Sequence, residues 1–147
     1  RTKIEVGDRV LVDGRDVTEE IRTPELTRAV KPIADSPECR DELVRLQREI
    51  GREGGLVTEG RDQGSVVFTD AEFRFYIDAS VEERSRRRHR ELGGDFGAIR
   101  RDIEARDRGD MSRPVGALVK PAGAIEIDTT GMTIEEVVEA ICGRVTR

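Results

Sequence analysis

From Leu56 onward the sequence alternates short β-type runs with longer stretches of helical period, and this alternation constrains the fold more than any other feature. Leu56-Val57-Thr58-Glu59 reads as a short strand. Phe73 to Ile77 reads as a second, with Phe73, Phe75 and Ile77 on one face, and Ala124 to Ile127 as a third. Two helices lie between the second and third. One runs from Val81 to about Glu91 and is broken by Gly93-Gly94; the other carries Phe96, Ile99 and Ile103 toward Arg108-Gly109. Thr133-x-x-Glu136 is a capping box ahead of a final helix with Ile134, Val137, Val138, Ile141 and Val145. Strands separated by helices predict an α/β domain with a mainly parallel sheet, in which ligands sit beyond the carboxyl ends of the strands. The segments in that position are Gly60-Arg61-Asp62, the arginine-rich helix from Val81, and Asp128-Thr129-Thr130.

The part before Leu56 differs. Ile4, Val6, Val10 and Val12 flank Gly7-Asp8, and Asp13-Gly14 is a second turn signal, so residues 3–17 predict a small antiparallel hairpin. Thr23-Pro24 starts a helix that Pro32 ends or kinks, with Leu26, Val30 and Ile33 on its apolar face. Ser36-Pro37 starts another, running to about Ile50 with Cys39, Leu43, Leu46 and Ile50 as its stripe. Gly51 and Gly54-Gly55 stop it.

Charge narrows the partners. The net charge is -5, which disfavours a nucleic-acid binder. Of the 26 bases only Lys3, Lys31 and Lys120 are lysines, the rest being arginines suited to forked pairing with carboxylate or phosphate. No apolar run is long enough to span a bilayer. Cys39 and Cys142 fall on apolar stripes as small buried hydrophobes, and His89 stands alone, so neither a zinc site nor cysteine or histidine catalysis is expected. The expected setting is reducing and cytoplasmic.

Three groups of residues offer chemistry. In Gly60-Arg61-Asp62 the glycine permits close backbone approach, Arg61 can fork a phosphate and Asp62 can accept from an amino group; an ordinary polar turn explains the tripeptide equally well. Arg106, Asp110 and Arg113 share a helical face, which puts a carboxylate between guanidinium groups, either as a site or as a solvated ladder. Arg84, Arg86, Arg87, Arg88 and Arg90 can close over a polyphosphate or simply form a wet helix face. Arg40 has the same ambiguity.

Taken in order, the stretches "DGRDVTEEIRTPEL", "LVTEGRDQGSVVFTDAEFRFYIDASVEERSRRR", "DIEARDRGDMSRPVGAL" and "AIEIDTTGMTIEEVV" resemble cytidylate kinase of the bacterial type over nearly the whole chain. The resemblance implies a P-loop, nucleoside-monophosphate-kinase-like parallel sheet flanked by helices, with an antiparallel acceptor-binding insertion at 1–52. The kinase core would be 53–147, with an Arg-rich lid at about 84–113. It implies phosphate transfer from ATP, with Mg²⁺, to CMP or dCMP, no nucleic-acid or membrane partner, and a monomer. Position by position, Arg40 and Asp62 match residues that read the cytosine edge. Arg61 and Arg113 match those that hold the acceptor phosphate, Arg106 and Asp110 contact the ribose, and Arg84, Arg87 and Arg88 fall in the lid. Of these lid residues, Arg87 and Arg88 are expected to act in catalysis beside Arg61 and Arg113. Lys31 stands where the family often has a small hydroxyl residue near the base.

One departure is large. The sequence contains no GxxxxGK[ST], the loop that cradles donor phosphates. The expectation is therefore the last two thirds of such an enzyme, inactive as 147 residues, with the donor loop belonging to a preceding segment. Two other readings stay open: a non-catalytic nucleotide-binding module, and another P-loop kinase of small metabolites.

Overall fold

The computed structural model describes residues 2–23, 25, 26, 29, 30, 36–112 and 116–145. The chain divides into two compact units, Arg1–Leu43 and Val44–Arg147.

In the first unit the expected hairpin gains a third strand. β1 (Ile4–Val6) pairs antiparallel with β2 (Val10–Val12), Ile4 opposite Val12 and Val6 opposite Val10. β2 pairs in turn with β3 (Arg15–Asp16), Leu11 opposite Asp16 and Val12 opposite Arg15. Asp13 and Gly14, between β2 and β3, have φ of 50° and 80°, the positive pair that a two-residue hairpin loop demands. Asp13 Oδ1 accepts from Lys3 N at 2.7 Å, which ties this turn to the start of β1. Thr18 donates twice to Asp16 Oδ1, and that bonding, the hydroxyl first, holds the Asp16 carboxyl below its ordinary value. Farther on, Thr23 Oγ1 caps Leu26 N at 3.3 Å as its sequence position suggests. Pro24, Pro32 and Ile33 lie outside the described residues.

Helix α1 (Pro37–Gly51) begins in the first unit and ends in the second. Ser36 Oγ accepts from Cys39 N at 3.4 Å at its start. At its end Gly51 is required by packing, because a Cβ there would lie 2.7 Å from Phe68 Cε1.

The second unit is built on two parallel strands, β4 (Phe75–Asp78) and β5 (Ile125–Asp128), in register Phe75 to Ile125 and Asp78 to Asp128. Parallel strands need a long crossover. Here it carries α2 (Val81–Leu92) and α3 (Phe96–Met111), which pack on each other. Ser80 caps α2 by accepting from Glu83 N, and Asp95 caps α3 by accepting from Ala98 N. Gly93, at φ 68°, turns the chain between them. The expected capping box before α4 (Ile134–Val145) is present in both directions: Thr133 N donates to Glu136 Oε2 at 2.8 Å and Glu136 N to Thr133 Oγ1 at 3.2 Å.

Burial gathers beyond the strand ends and on α2 and α3. Val67, Ala79, Ser85, Asp110 and Thr129 are the buried side chains among the described residues. Three of these are polar, so each needs a partner. Ser85 Oγ donates to Val81 O, Thr129 Oγ1 donates to Asp78 O at 2.9 Å, and Asp110 meets Arg61. Among the described residues no helix is long and apolar enough to cross a membrane.

Four expectations are corrected. Leu56–Glu59 is not a strand: it has no ladder partner among the described residues, and Val57 is 96% exposed. A β-type run forms a strand only where an adjacent edge accepts its backbone groups. The strand expected at Phe73 to Ile77 starts at Phe75 and reaches Asp78, because its limits follow the register with β5. Helix α3 passes through Gly109 to Met111, so the glycine does not end it. Cys39 and Cys142 are exposed rather than buried, as are Leu43 and Ile50 on α1 and Ile134, Val138 and Val145 on α4. An amphipathic stripe buries only what another element covers.

Candidate functional site

Gly60-Arg61-Asp62 opens no ordinary turn. The backbone widens into a π-helical turn, Gln63–Val67, in which Val67 N donates to Asp62 O at 3.2 Å and Phe68 N to Gln63 O at 2.7 Å. Such wide turns are rare and occur often at functional sites. Gly60 allows the entry, since at φ 157° a Cβ would fall 2.9 Å from Gln63 Cγ. The exit is held from α1: Arg48 Nε donates to Val67 O and its Nη2 to Val66 O, each at 2.8 Å. One guanidinium thereby satisfies two carbonyls that the wide turn leaves open.

Arg61 meets α3. Its Nε lies 2.7 Å from Asp110 Oδ2, and the Asp110 side chain is only 8% exposed. Arg106 approaches the same oxygen at 3.9 Å while remaining 72% exposed itself. Asp110 is thus approached by two guanidinium groups, Arg61 and Arg106, whereas the sequence paired it with Arg106 and Arg113. Arg113 lies outside the described residues, as does Lys31. Asp110 O also accepts from Leu118 N at 2.9 Å, which anchors the chain where it returns from α3. Arg61 thus approaches Asp110 with its Nε, and among the described residues no hydrogen bond engages its two terminal nitrogens.

The arginines of α2 divide into two kinds. Arg84 reaches inward: Nε donates to Ala79 O at 2.9 Å, while Nη1 and Nη2 donate to the two Asp107 oxygens at 2.9 and 2.8 Å. The hydrogen bond to Asp107 raises its pKa further above the ordinary arginine value. Arg87 is held by Glu83 at 2.9 Å, by Thr129 Oγ1 at 3.2 Å and by Thr129 O at 2.5 Å. Arg88, by contrast, is 53% exposed and, among the described residues, pairs with Glu91, three residues along. An open cleft of about 930 Å³ lies beside this helix, lined by Arg86, Arg87, Arg90, Phe96, Met132 and Val137 among others.

Asp62 belongs to the second unit and is half-buried, whereas Arg40 stands on α1 in the first and is also half-buried. The structure adds Arg48 to the residues the sequence suggested, and it gives Asp107 and Thr129 arginine partners from α2. A signal for Arg48 existed. Arg48 has no carboxylate three or four places away on its helix, unlike Arg45, whose partner is Glu49, so its guanidinium is available to a distant group.

Parallel strands joined through two helices, with arginines and carboxylates paired around the crossover and beside the Gln63–Val67 turn, define an α/β protein with a charged candidate site. The cytidylate kinase family model matches residues 1–147. The chain belongs to the cytidylate kinase family. It is 46% identical over 142 residues to a cytidylate kinase of Enterococcus faecalis, covering 93% of this chain and 63% of that protein. It is 47% identical over 138 residues to one of Desulfitobacterium hafniense, covering 90% and 60%, and 45% identical over 150 residues to one of Pelotomaculum thermopropionicum, covering 99% and 66%. The chain therefore spans somewhat less than two thirds of the length of these curated relatives.

Proposed function

We propose that this chain forms the acceptor side of a nucleoside monophosphate kinase that passes the terminal phosphate of ATP to CMP or dCMP. Family membership supports the reaction class, and one observation carries the assignment of the site. Arg61 is held by its Nε on the buried Asp110 carboxylate, which presents its terminal nitrogens as a preset fork. A fork of that kind fits the acceptor phosphate, with Arg113 as its second grip. Asp62 beside it accepts from the cytosine amino group, and Arg106 and Asp110 serve the ribose.

On this reading an oxygen of the CMP phosphate attacks the terminal phosphorus of ATP in line. The new P–O bond forms as the bond to ADP breaks, and no side-chain nucleophile takes part. The chain's own contribution is to fix the attacking oxygen and to offset charge. Arg88, whose exposed pair with Glu91 costs little to break, is the lid arginine best placed to leave its partner for a phosphate. Mg²⁺, bound with ATP, would supply charge neutralisation at the phosphates. Among the described residues no three His, Cys, Asp or Glu side chains converge on one point, so these side chains do not fit a protein-held ion. Residues 1–52 are the acceptor-binding insertion and 53–147 the core, a reading supported by the separate compactness of Arg1–Leu43.

The test is steady-state kinetics and CMP binding for Arg61→Lys and Arg61→Ala in the native protein that carries this chain. Arg61→Lys keeps the charge but loses the fork, and turnover should fall by on the order of a hundredfold, close to the alanine variant. Wild-type turnover and CMP affinity in Arg61→Ala would remove the phosphate role. Asp62→Asn separates base reading from phosphate holding: preference for CMP over UMP should fall by about a hundredfold or more, because an amide also offers donors.

A further inference from the structure

Asp107 lies one turn before Asp110 on α3, and Arg84 binds it with both terminal nitrogens while its Nε holds Ala79 O, the carbonyl just past the end of β4. Three parts of the unit therefore meet at one guanidinium: the strand end, α2 and α3. The partners are 23 residues apart in sequence, and both side chains are about one third exposed or less, at 32% and 27%. The planar fork of Arg84 matches the carboxylate in a single orientation, so the contact fixes rotation as well as distance. Arg84 has no carboxylate three or four residues away, unlike Arg86, Arg87 and Arg88, which pair with Glu82, Glu83 and Glu91.

We propose that Arg84 and Asp107 form a positioning clamp that sets the place of α3, and with it the Asp110 carboxylate that aims Arg61, and that Arg84 is not a phosphate-contacting lid residue. The clamp acts through other groups. Asp107 holds Arg84, α3 carries Asp110 one turn on, and Asp110 grips Arg61 at 2.7 Å. A shift of α3 by a fraction of an ångström turns the fork of Arg61 away from its ligand, without removing any group that touches substrate. This proposal rests on the acceptor-site reading above for its kinetic consequence and on geometry alone for the clamp itself.

Two measurements on the native protein carrying this chain test it, using Arg84→Lys, Asp107→Asn and the double variant. Hydrogen exchange without ligand reads the clamp. The amides of residues 107–111 should lose protection to the same degree in both single variants, and the double variant should lose no more. Unchanged protection, or losses that add, overturns the clamp whatever the substrate is. Kinetics read the positioning role. Both single variants should raise KM for CMP by about tenfold, equally and without summing in the double variant, and leave KM for ATP unchanged. An effect of Arg84→Lys on ATP that Asp107→Asn does not share restores the lid assignment and overturns the proposal. Lost protection with unaltered CMP kinetics reduces the clamp to a structural pair and overturns its positioning role. If the wild type does not turn over CMP at all, the functional reading fails, while hydrogen exchange still decides the clamp.

Discussion

Asp107 and Asp110 stand three residues apart on α3, and each takes an arginine from a distant part of the chain, yet the two pairs are built differently. Asp107 receives both terminal nitrogens of Arg84 and remains 27% exposed. Asp110 is 8% exposed and receives Arg61 through Nε. The first pair consumes the fork of its arginine, and the second leaves the fork available. The same two residue types, within one turn of helix, thus yield a strut in one place and an aimed guanidinium in the other. What differs is which edge of the arginine faces the carboxylate, Arg84 arriving from α2 and Arg61 from the segment ahead of the Gln63–Val67 turn.

The largest break in this comparison is Asp110→Asn. Removing the charge from a buried carboxylate leaves Arg61 without its counter-ion, and unfolding free energy should drop by about 2–3 kcal/mol in urea titrations. A loss below half a kilocalorie would mean that Asp110 is balanced by solvent. Next comes Arg48→Met, which keeps much of the apolar stem and removes both bonds to Val66 O and Val67 O. About 2 kcal/mol should be lost, and CMP affinity should fall although Arg48 touches no substrate. Unaltered affinity would uncouple the wide turn from the Arg61 fork. Asp107→Asn should cost about 1 kcal/mol, less than Asp110→Asn because its pair is wetter; equal losses would mean that the two carboxylates are equally embedded. Arg88→Ala should shift stability by less than about 0.5 kcal/mol, since an exposed pair three residues apart contributes little.

The smallest effect is a titration. The Asp128 carboxyl lies below its ordinary value because of bonding by Thr130, the side-chain hydrogen bond first and the backbone N–H next. A depressed carboxyl contributes fully above its unfolded value, and the contribution disappears as pH falls through the lower folded value. Nothing should change near neutrality, and the effect is confined to acid. Carboxyl-carbon NMR should show the Asp128 midpoint rising toward the ordinary value in Thr130→Val, while Asp16, held in the same manner by Thr18, stays where it is.

Features whose partners lie within a few residues were legible from the residue types alone. The Thr133–Glu136 box, the caps at Thr23 and Ser36, the positive-φ turn at Asp13-Gly14 and the break at Gly93 all stand where the residues suggested. The sequence also named Arg61 and Asp110, but as members of separate groups. Packing brings these two together and lets Arg84 reach Asp107. It also decided that Arg48 closes the turn after Asp62, that Leu56–Glu59 gains no ladder, and that both cysteines face outward. The physical reason is range. A cap or a tight turn closes within one turn of chain, so the residue types present nearly fix the bond. An ion pair 23 residues long, or a strand edge, exists only where packing brings two segments together, and no residue type carries that distance in itself.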